Sequence, residues 1–173
     1  AEVRACVDAF ATSETAARVA AAERVHREQP FSLDAGATRL AGAVDLIAWT
    51  GDSALIVDYK TGAGRSEEKL EGYELQSRCY AAAALEAGAR EATVRFVWLP
   101  SGEVDERTFA AADRDGLLGE LREAVAALGR DGFPVREGGY DPKVCGGCPV
   151  LGGMCPVDEP RRPGRRGPSR DGG

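Results

Sequence analysis

Three charged residues stand where two apolar runs come together. Asp45 lies in Gly42-Ala43-Val44-Asp45-Leu46-Ile47-Ala48-Trp49, and Asp58 and Lys60 lie in Ala54-Leu55-Ile56-Val57-Asp58-Tyr59-Lys60. Two carboxylates with one ammonium beside them form an arrangement that suits a hard divalent cation, because oxygen ligands match magnesium or manganese and the cation removes their repulsion. The plainer alternative is a solvated strand end with three ordinary charges.

The elements that must position these groups are readable around them. Both runs are β-branched and apolar enough to be strands, and Thr50-Gly51-Asp52-Ser53 is a turn signal between them. With Gly51 and Asp52 at the centre of a type II′ hairpin, Gly51 supplies the positive φ needed at the first position. That register puts Ile47 opposite Ile56, Asp45 opposite Asp58 and Ala43 opposite Lys60. Opposed residues have Cβ atoms roughly 4.5–5.5 Å apart, and like charges there destabilise a sheet. The second strand is apolar on both faces, with Leu55, Val57 and Tyr59 on one and Ala54 and Ile56 on the other, so both faces are expected to be covered. Charges at the end of such a strand need a compensating ligand, which favours the cation site.

The whole chain sets wider bounds. Its 173 residues make one domain, or one domain with a small appendage, with enough length for a core. No apolar run is long enough to span a membrane. The chain starts at Ala1, has its only methionine at Met154 and shows no secretory pattern, so a piece of a longer cytoplasmic polypeptide, or a processed chain, is expected. The net charge of −6 opposes capture of a phosphate polymer by bulk charge. Of five cysteines three bunch near the end, a pattern that more often holds metal than a disulfide framework.

Residues 1–28 read as helical and alanine-rich, with Thr12 or Ser13 as N-cap and Pro30 as terminator. Phe31-Ser32-Leu33 is extended, and Asp34-Ala35-Gly36 turns it into the strand of Asp45. Ser66 caps a helix reaching about Ala87, with Leu70, Tyr73, Ser77, Ala81, Ala84 and Leu85 on one broad face and Gly88 as its stop. A strand over Thr93–Leu99, a hairpin to Glu103–Phe109 and a helix over Ala111–Leu128 follow. From Gly132 the composition shifts to Gly, Pro and Cys, and Pro160–Gly173 is an arginine-bearing tail that reads as disordered. The order of elements gives an α/β (α+β) fold, a mixed sheet with helices on its faces.

Four short motifs in order carry a resemblance: Arg27-Glu28-Gln29-Pro30-Phe31, Gly42-x-x-Asp45, Val57-Asp58-Tyr59-Lys60-Thr61-Gly62 and Gln76-x-x-x-Tyr80. Over roughly residues 24–156 the chain resembles the PD-(D/E)xK nuclease domain of RecB and AddA type, found at the C-terminal end of UvrD-like helicase subunits that process double-strand breaks. The resemblance implies a restriction-endonuclease-like sheet and Mg2+- or Mn2+-dependent DNA hydrolysis of exonuclease type. Asp45 and Asp58 would be metal ligands, with the Tyr59 backbone carbonyl as a further ligand. Lys60 would be the catalytic lysine, and Gln76 and Tyr80 the motif flanking the site. It also implies partners: a DNA single strand delivered by a helicase, helicase domains of the same chain, and a second helicase or nuclease subunit. Under that reading residues 1–23 are a helical remnant of a longer chain, 24–131 the nuclease core, 132–159 a cysteine-containing staple and 160–173 the tail.

Two departures qualify the match. The family places a metal-binding histidine on an upstream helix, whereas His26, the only histidine, directly precedes the Arg27–Phe31 motif and reads as a solvated helix-end residue. The expected counterpart lies N-terminal to Ala1, and the fragment alone is then expected to cut poorly or not at all. Secondly, Cys145-x-x-Cys148-Pro149 followed by Cys155-Pro156 resembles the C-terminal part of the AddB-type [4Fe-4S] motif, with Cys6 as candidate fourth ligand and zinc as the alternative. Cys79, inside the Gln76 helix, reads as a small buried apolar residue. The rival readings are a catalytically silent DNA-binding or scaffolding domain, and a stand-alone iron–sulfur exonuclease of CRISPR-adaptation type.

Overall fold

A computed structural model describes residues 2–62 and 67–131, together with Tyr140 and Cys145. The chain divides into two units, residues 1–127 and 128–173, and the first holds the sheet. The residues expected to form the cysteine staple and the tail lie, apart from Tyr140 and Cys145, outside the described residues.

Strands β1 (Arg24–Asp34), β2 (Arg39–Thr50), β3 (Ser53–Lys60), β4 (Glu91–Trp98) and β5 (Val104–Ala110) form one sheet in sequence order. Every neighbouring pair is antiparallel except β3 and β4, which run parallel. Parallel neighbours need a crossover, and helix α3 (Glu67–Glu86) supplies it. Helices α1 (Glu2–Ala11) and α2 (Glu14–Ala20) precede the sheet, and α4 (Arg114–Asp131) follows it after a 3-10 turn at Ala111–Asp113. This is the mixed α+β sheet flanked by helices that the order of elements led us to expect.

The centre of the sheet is covered on both sides, as the apolar runs require. Ile56, Val57, Val94 and Phe96 are fully buried, each worth about 1.5–3 kcal/mol relative to an exposed side chain. Ala54, Ile56, Val94, Phe96 and Trp98 pack with the inner residues of α3 and with Leu117, Leu118 and Leu121 of α4. Leu55, Val57, Val97 and Leu46 pack under Phe10 of α1 and Val19 of α2. Buried Arg95 fastens α2 to that face, donating to Thr15 Oγ1 at 2.8 Å and Glu14 Oε1 at 3.1 Å, and to Glu106 of β5.

The expected helix over residues 1–28 is corrected. Ser13 does cap α2, accepting from Ala16 N at 3.2 Å, but the helix ends at Ala20 and residues 24–34 are a strand. Arg24, His26, Arg27, Glu28 and Gln29 favour neither state strongly, and pairing with the long β2 decides the matter. Pro30 does not end a helix; it sits inside β1, where an edge strand tolerates its missing N–H. His26 is therefore an exposed residue of a strand.

The hairpin register holds from Thr50↔Ser53 through Ile47↔Ile56 to Leu46↔Val57, around a Gly51 with φ +57. It then stops one rung short. Asp45↔Asp58 and Ala43↔Lys60 are not ladder pairs; Ala43 pairs only with Pro30 of β1. In place of the next rung, Asp45 Oδ2 accepts the backbone N–H of Tyr59 at 2.8 Å. From that point β2 runs on with β1, while β3 continues along β4 to Lys60↔Trp98.

The same point interrupts β1 and β2. Their register is continuous except that Arg27↔Leu46 is followed by Gln29↔Val44, leaving Glu28 and Asp45 unpaired. Glu28 has φ +49, the one non-glycine positive φ among the described residues. The faces invert across it. Leu46 packs beneath α1 and α2, yet Val44, two residues away, packs beneath α3, and Phe31 and Leu33 change sides relative to Val25 in the same way. A matched irregularity of this kind bends the strands and re-aims a side chain.

Candidate active site

Asp58 is the centre of the arrangement. It lies on the α3 face of β3, between Ile56 and Lys60, and only 4% of it is exposed. Its Oδ1 meets Lys60 Nζ at 2.6 Å. Its Oδ2 accepts the Tyr80 hydroxyl at 2.9 Å and Gln76 Nε2 at 3.2 Å. A buried carboxylate without such donors would lose several kcal/mol in desolvation; here the donors come from α3, whose Gln76 and Tyr80 are one turn apart on the face turned to the sheet.

Gln76 joins the other groups. Its amide nitrogen donates to the Tyr80 oxygen at 2.6 Å as well as to Asp58, and its Oε1 accepts from Lys60 Nζ at 3.1 Å. The lysine also stands over two aromatic rings, 4.1 Å from the centroid of Tyr73 and 5.0 Å from that of Phe96. Burial raises the Tyr80 hydroxyl well above its ordinary value, and the Asp58 charge and hydrogen bond raise it further. Tyr80 therefore acts here as a hydrogen-bond donor. Tyr59, on the opposite face against Phe10, is raised by burial and then by Asp45, with Arg27 pulling the other way.

Two concavities are lined by Tyr80, on the β1 side of this network. One of about 590 Å³ runs between β1 and α3, with His26, Gln29, Trp49 and Ala84 among its walls. The other, about 370 Å³, is bounded by Gly42, Ala43, Leu75, Gln76 and Cys79. Phe31 and Tyr80 line both, and their rings meet edge to face at 5.9 Å. Gly42 makes that possible, since a Cβ at this position would lie 2.9 Å from Phe31 Cζ.

The sequence-derived residues Asp58, Lys60, Gln76 and Tyr80 are thus in mutual contact, and Asp45 reaches the same strand end through Tyr59 N–H. Cys6 is half-buried in α1, and Cys79 is half-buried in α3 with its thiol pushed up by burial. Cys148 and Cys155 lie outside the described residues. Reading the residues alone missed the roles of Glu28, Gly42 and Phe96. Phe96 stands beside Asp58 in the parallel register, a pairing made only by the crossover and unmarked in the residues. The Glu28 conformation is likewise unmarked.

The donor set fits a hard divalent cation, because two carboxyl groups from adjacent strands, one of them the buried Asp58, are brought to one strand end. Among the described residues no group of three or more His, Cys, Asp or Glu side chains is placed to hold a metal ion.

The profile of the PD-(D/E)XK nuclease superfamily matches residues 2–156, and the chain belongs to that superfamily, whose members are nucleases that typically use divalent metals. A search of curated proteins finds no significant match. Among solved structures, the crystal structure of SSO0001 is similar at a TM-score of 0.45 and 13% identity, over 89% of this chain and 67% of that one. No helix among the described residues is long and apolar enough to cross a membrane.

Proposed function

We propose that this chain is a metal-dependent deoxyribonuclease domain that hydrolyses phosphodiester bonds of a DNA strand fed to it by a helicase. The observation that carries the reading is Asp58, a buried carboxylate held by Lys60, Gln76 and Tyr80, with Asp45 beside it at the point where β2 and β3 part. Asp45, Asp58 and the Tyr59 carbonyl would hold magnesium or manganese, which supplies polarisation of a phosphoryl oxygen and a bound water of lowered pKa.

The chain's own groups do the rest. Lys60 presents an ammonium to orient the attacking water or to stabilise charge on the phosphate. Gln76 ties Lys60 to Asp58 and Tyr80, so that acid and base groups keep one geometry. Tyr80 donates to Asp58 and leaves the other carboxylate oxygen facing Lys60. The concavities lined by Phe31 and Tyr80 offer mixed polar and aromatic walls for sugars and bases, and the net charge of −6 is compatible with a strand guided in by other domains.

The RecB and AddA resemblance of four ordered motifs supports a place in a bacterial helicase–nuclease that repairs double-strand breaks. The spacing of Cys145, Cys148 and Cys155 supports a [4Fe-4S] staple, with zinc as the alternative. The test is cleavage of end-labelled single- and double-stranded DNA by the intact chain. Magnesium or manganese should support it, and EDTA should stop it. Cleavage unaffected by EDTA, or none in the chain joined to its helicase, would refute the proposal.

A further inference from the structure

We propose that Tyr73, backed by Phe96, is the positioning residue for Lys60. This rests on the nuclease reading for its consequence but not for its geometry. Among the described residues, Lys60 Nζ meets Asp58 Oδ1 at 2.6 Å, Gln76 Oε1 at 3.1 Å, and the rings of Tyr73 and Phe96 at 4.1 and 5.0 Å. Asp58 is also a proposed cation ligand, so it cannot be relied on to fix the lysine in the working site. Gln76 is a neutral acceptor and holds the ammonium by a single bond. The aromatic faces are the neighbours that attract a cation without offering an oxygen that a metal would take.

The rings are themselves fixed. Tyr73 stacks on Phe96 at 5.1 Å and 28°, and lies 6.2 Å from Trp98. Phe96 and Trp98 are fully buried beneath α3, on the strand that runs parallel to β3 beside Asp58 and Lys60. The wall is therefore built by β4, and α3 lays Tyr73 onto it. A lysine chain with four rotatable bonds gains a defined end-point from such a wall, which is what a group acting on one water or one phosphate oxygen needs.

Two readouts on the intact chain test this. The first is the ε-methylene resonance of Lys60 in 13C-lysine-labelled protein. It should be shifted upfield by the rings, remain so in Tyr73→Phe, and return toward an ordinary lysine position in Tyr73→Leu. The second is magnesium-dependent DNA cleavage. Tyr73→Leu should lower kcat about tenfold, the scale of a desolvated cation–π contact, with KM for DNA unchanged and Tyr73→Phe close to wild type. In a Lys60→Met background Tyr73→Leu should add nothing. An unshifted Lys60 resonance in the wild type overturns the proposal, as does equal loss in Tyr73→Phe and Tyr73→Leu, or full additivity with Lys60→Met. If Tyr73→Leu fails to fold, Phe96→Leu replaces it in both arms. If the chain cuts no DNA, the nuclease reading fails while the resonance still decides the positioning role.

Discussion

The Tyr80 hydroxyl donates to Asp58 Oδ2 at 2.9 Å, joining the crossover helix to the last turn of the central strand through one buried bond. That bond sets which carboxylate oxygen faces Lys60. It also makes a residue on α3 part of the same electrostatic unit as the strand end.

Tyr80→Phe should leave the fold intact and weaken the site. The ring keeps its edge-to-face contact with Phe31, and Asp58 loses one of three donors. A hydrogen bond to a charged group is worth about 1.5–3 kcal/mol, so a fall in kcat of about tenfold or more is expected in steady-state cleavage. Unchanged kcat would mean that the bond orients nothing that matters.

High pH should separate the tyrosines. Tyr59 and Tyr80 are raised above 10.0, chiefly by burial. A raised folded-state value means the folded chain keeps protons that the unfolded chain gives up. Their stabilising contribution is whole below about pH 10, the unfolded value, and is lost as pH rises through the folded values. Tyrosinate absorbance should show a late-titrating fraction that appears together with unfolding. Titration of all four tyrosines at an ordinary midpoint, in a chain still folded, would contradict this.

Gly42→Ala should disturb the site from the β1 side. The new methyl would meet Phe31 Cζ at 2.9 Å, and overpacking of this kind costs about 1–3 kcal/mol. Denaturant midpoint and cleavage should both fall, and Phe31→Leu should recover much of the loss in the double variant. Two independent, additive losses would show that the glycine serves something other than this ring.

How much of this was legible in the residues follows from what fixed each part. Hairpin register was readable because Gly51 and two apolar strands leave one good pairing, and it held to Leu46↔Val57. Its failure at the next rung was not readable, because the interruption comes from the Glu28 conformation on a third strand and from Asp45 bonding to a backbone group instead of pairing. Gln76 and Tyr80 were legible as the Gln76-x-x-x-Tyr80 motif of the resemblance, but their bonds to Asp58 depend on how α3 crosses the sheet. Residues 24–28 carry no local signal for a strand because their composition is indifferent and an edge pairing, invisible locally, settles it.

Arg95→Met should separate stability from chemistry. Arg95 lies on the α1–α2 face, away from Asp58, and its loss leaves buried Thr15 and exposed Glu106 and Glu14 without this partner. Burial alone would raise Glu106, but Arg95 and Arg18 together bring it below its ordinary range. Its stabilising share is therefore present above about pH 4.5 and lost as pH falls through the folded value. The variant should lose about 1–3 kcal/mol by urea unfolding at neutral pH, show a weaker acid dependence, and retain wild-type kcat. A wild-type midpoint would mean that the cluster contributes no net stability.

The most direct measurement of the central claim is magnesium-dependent hydrolysis of DNA by Asp45→Ala, Asp58→Ala and Lys60→Ala beside the parent protein, each shown to be folded by circular dichroism. The account predicts cleavage by the parent and a loss of at least about a hundredfold in all three, the scale on which removing an acid–base or charge-stabilising group acts. Parent-level cleavage in any folded variant of the three would contradict it.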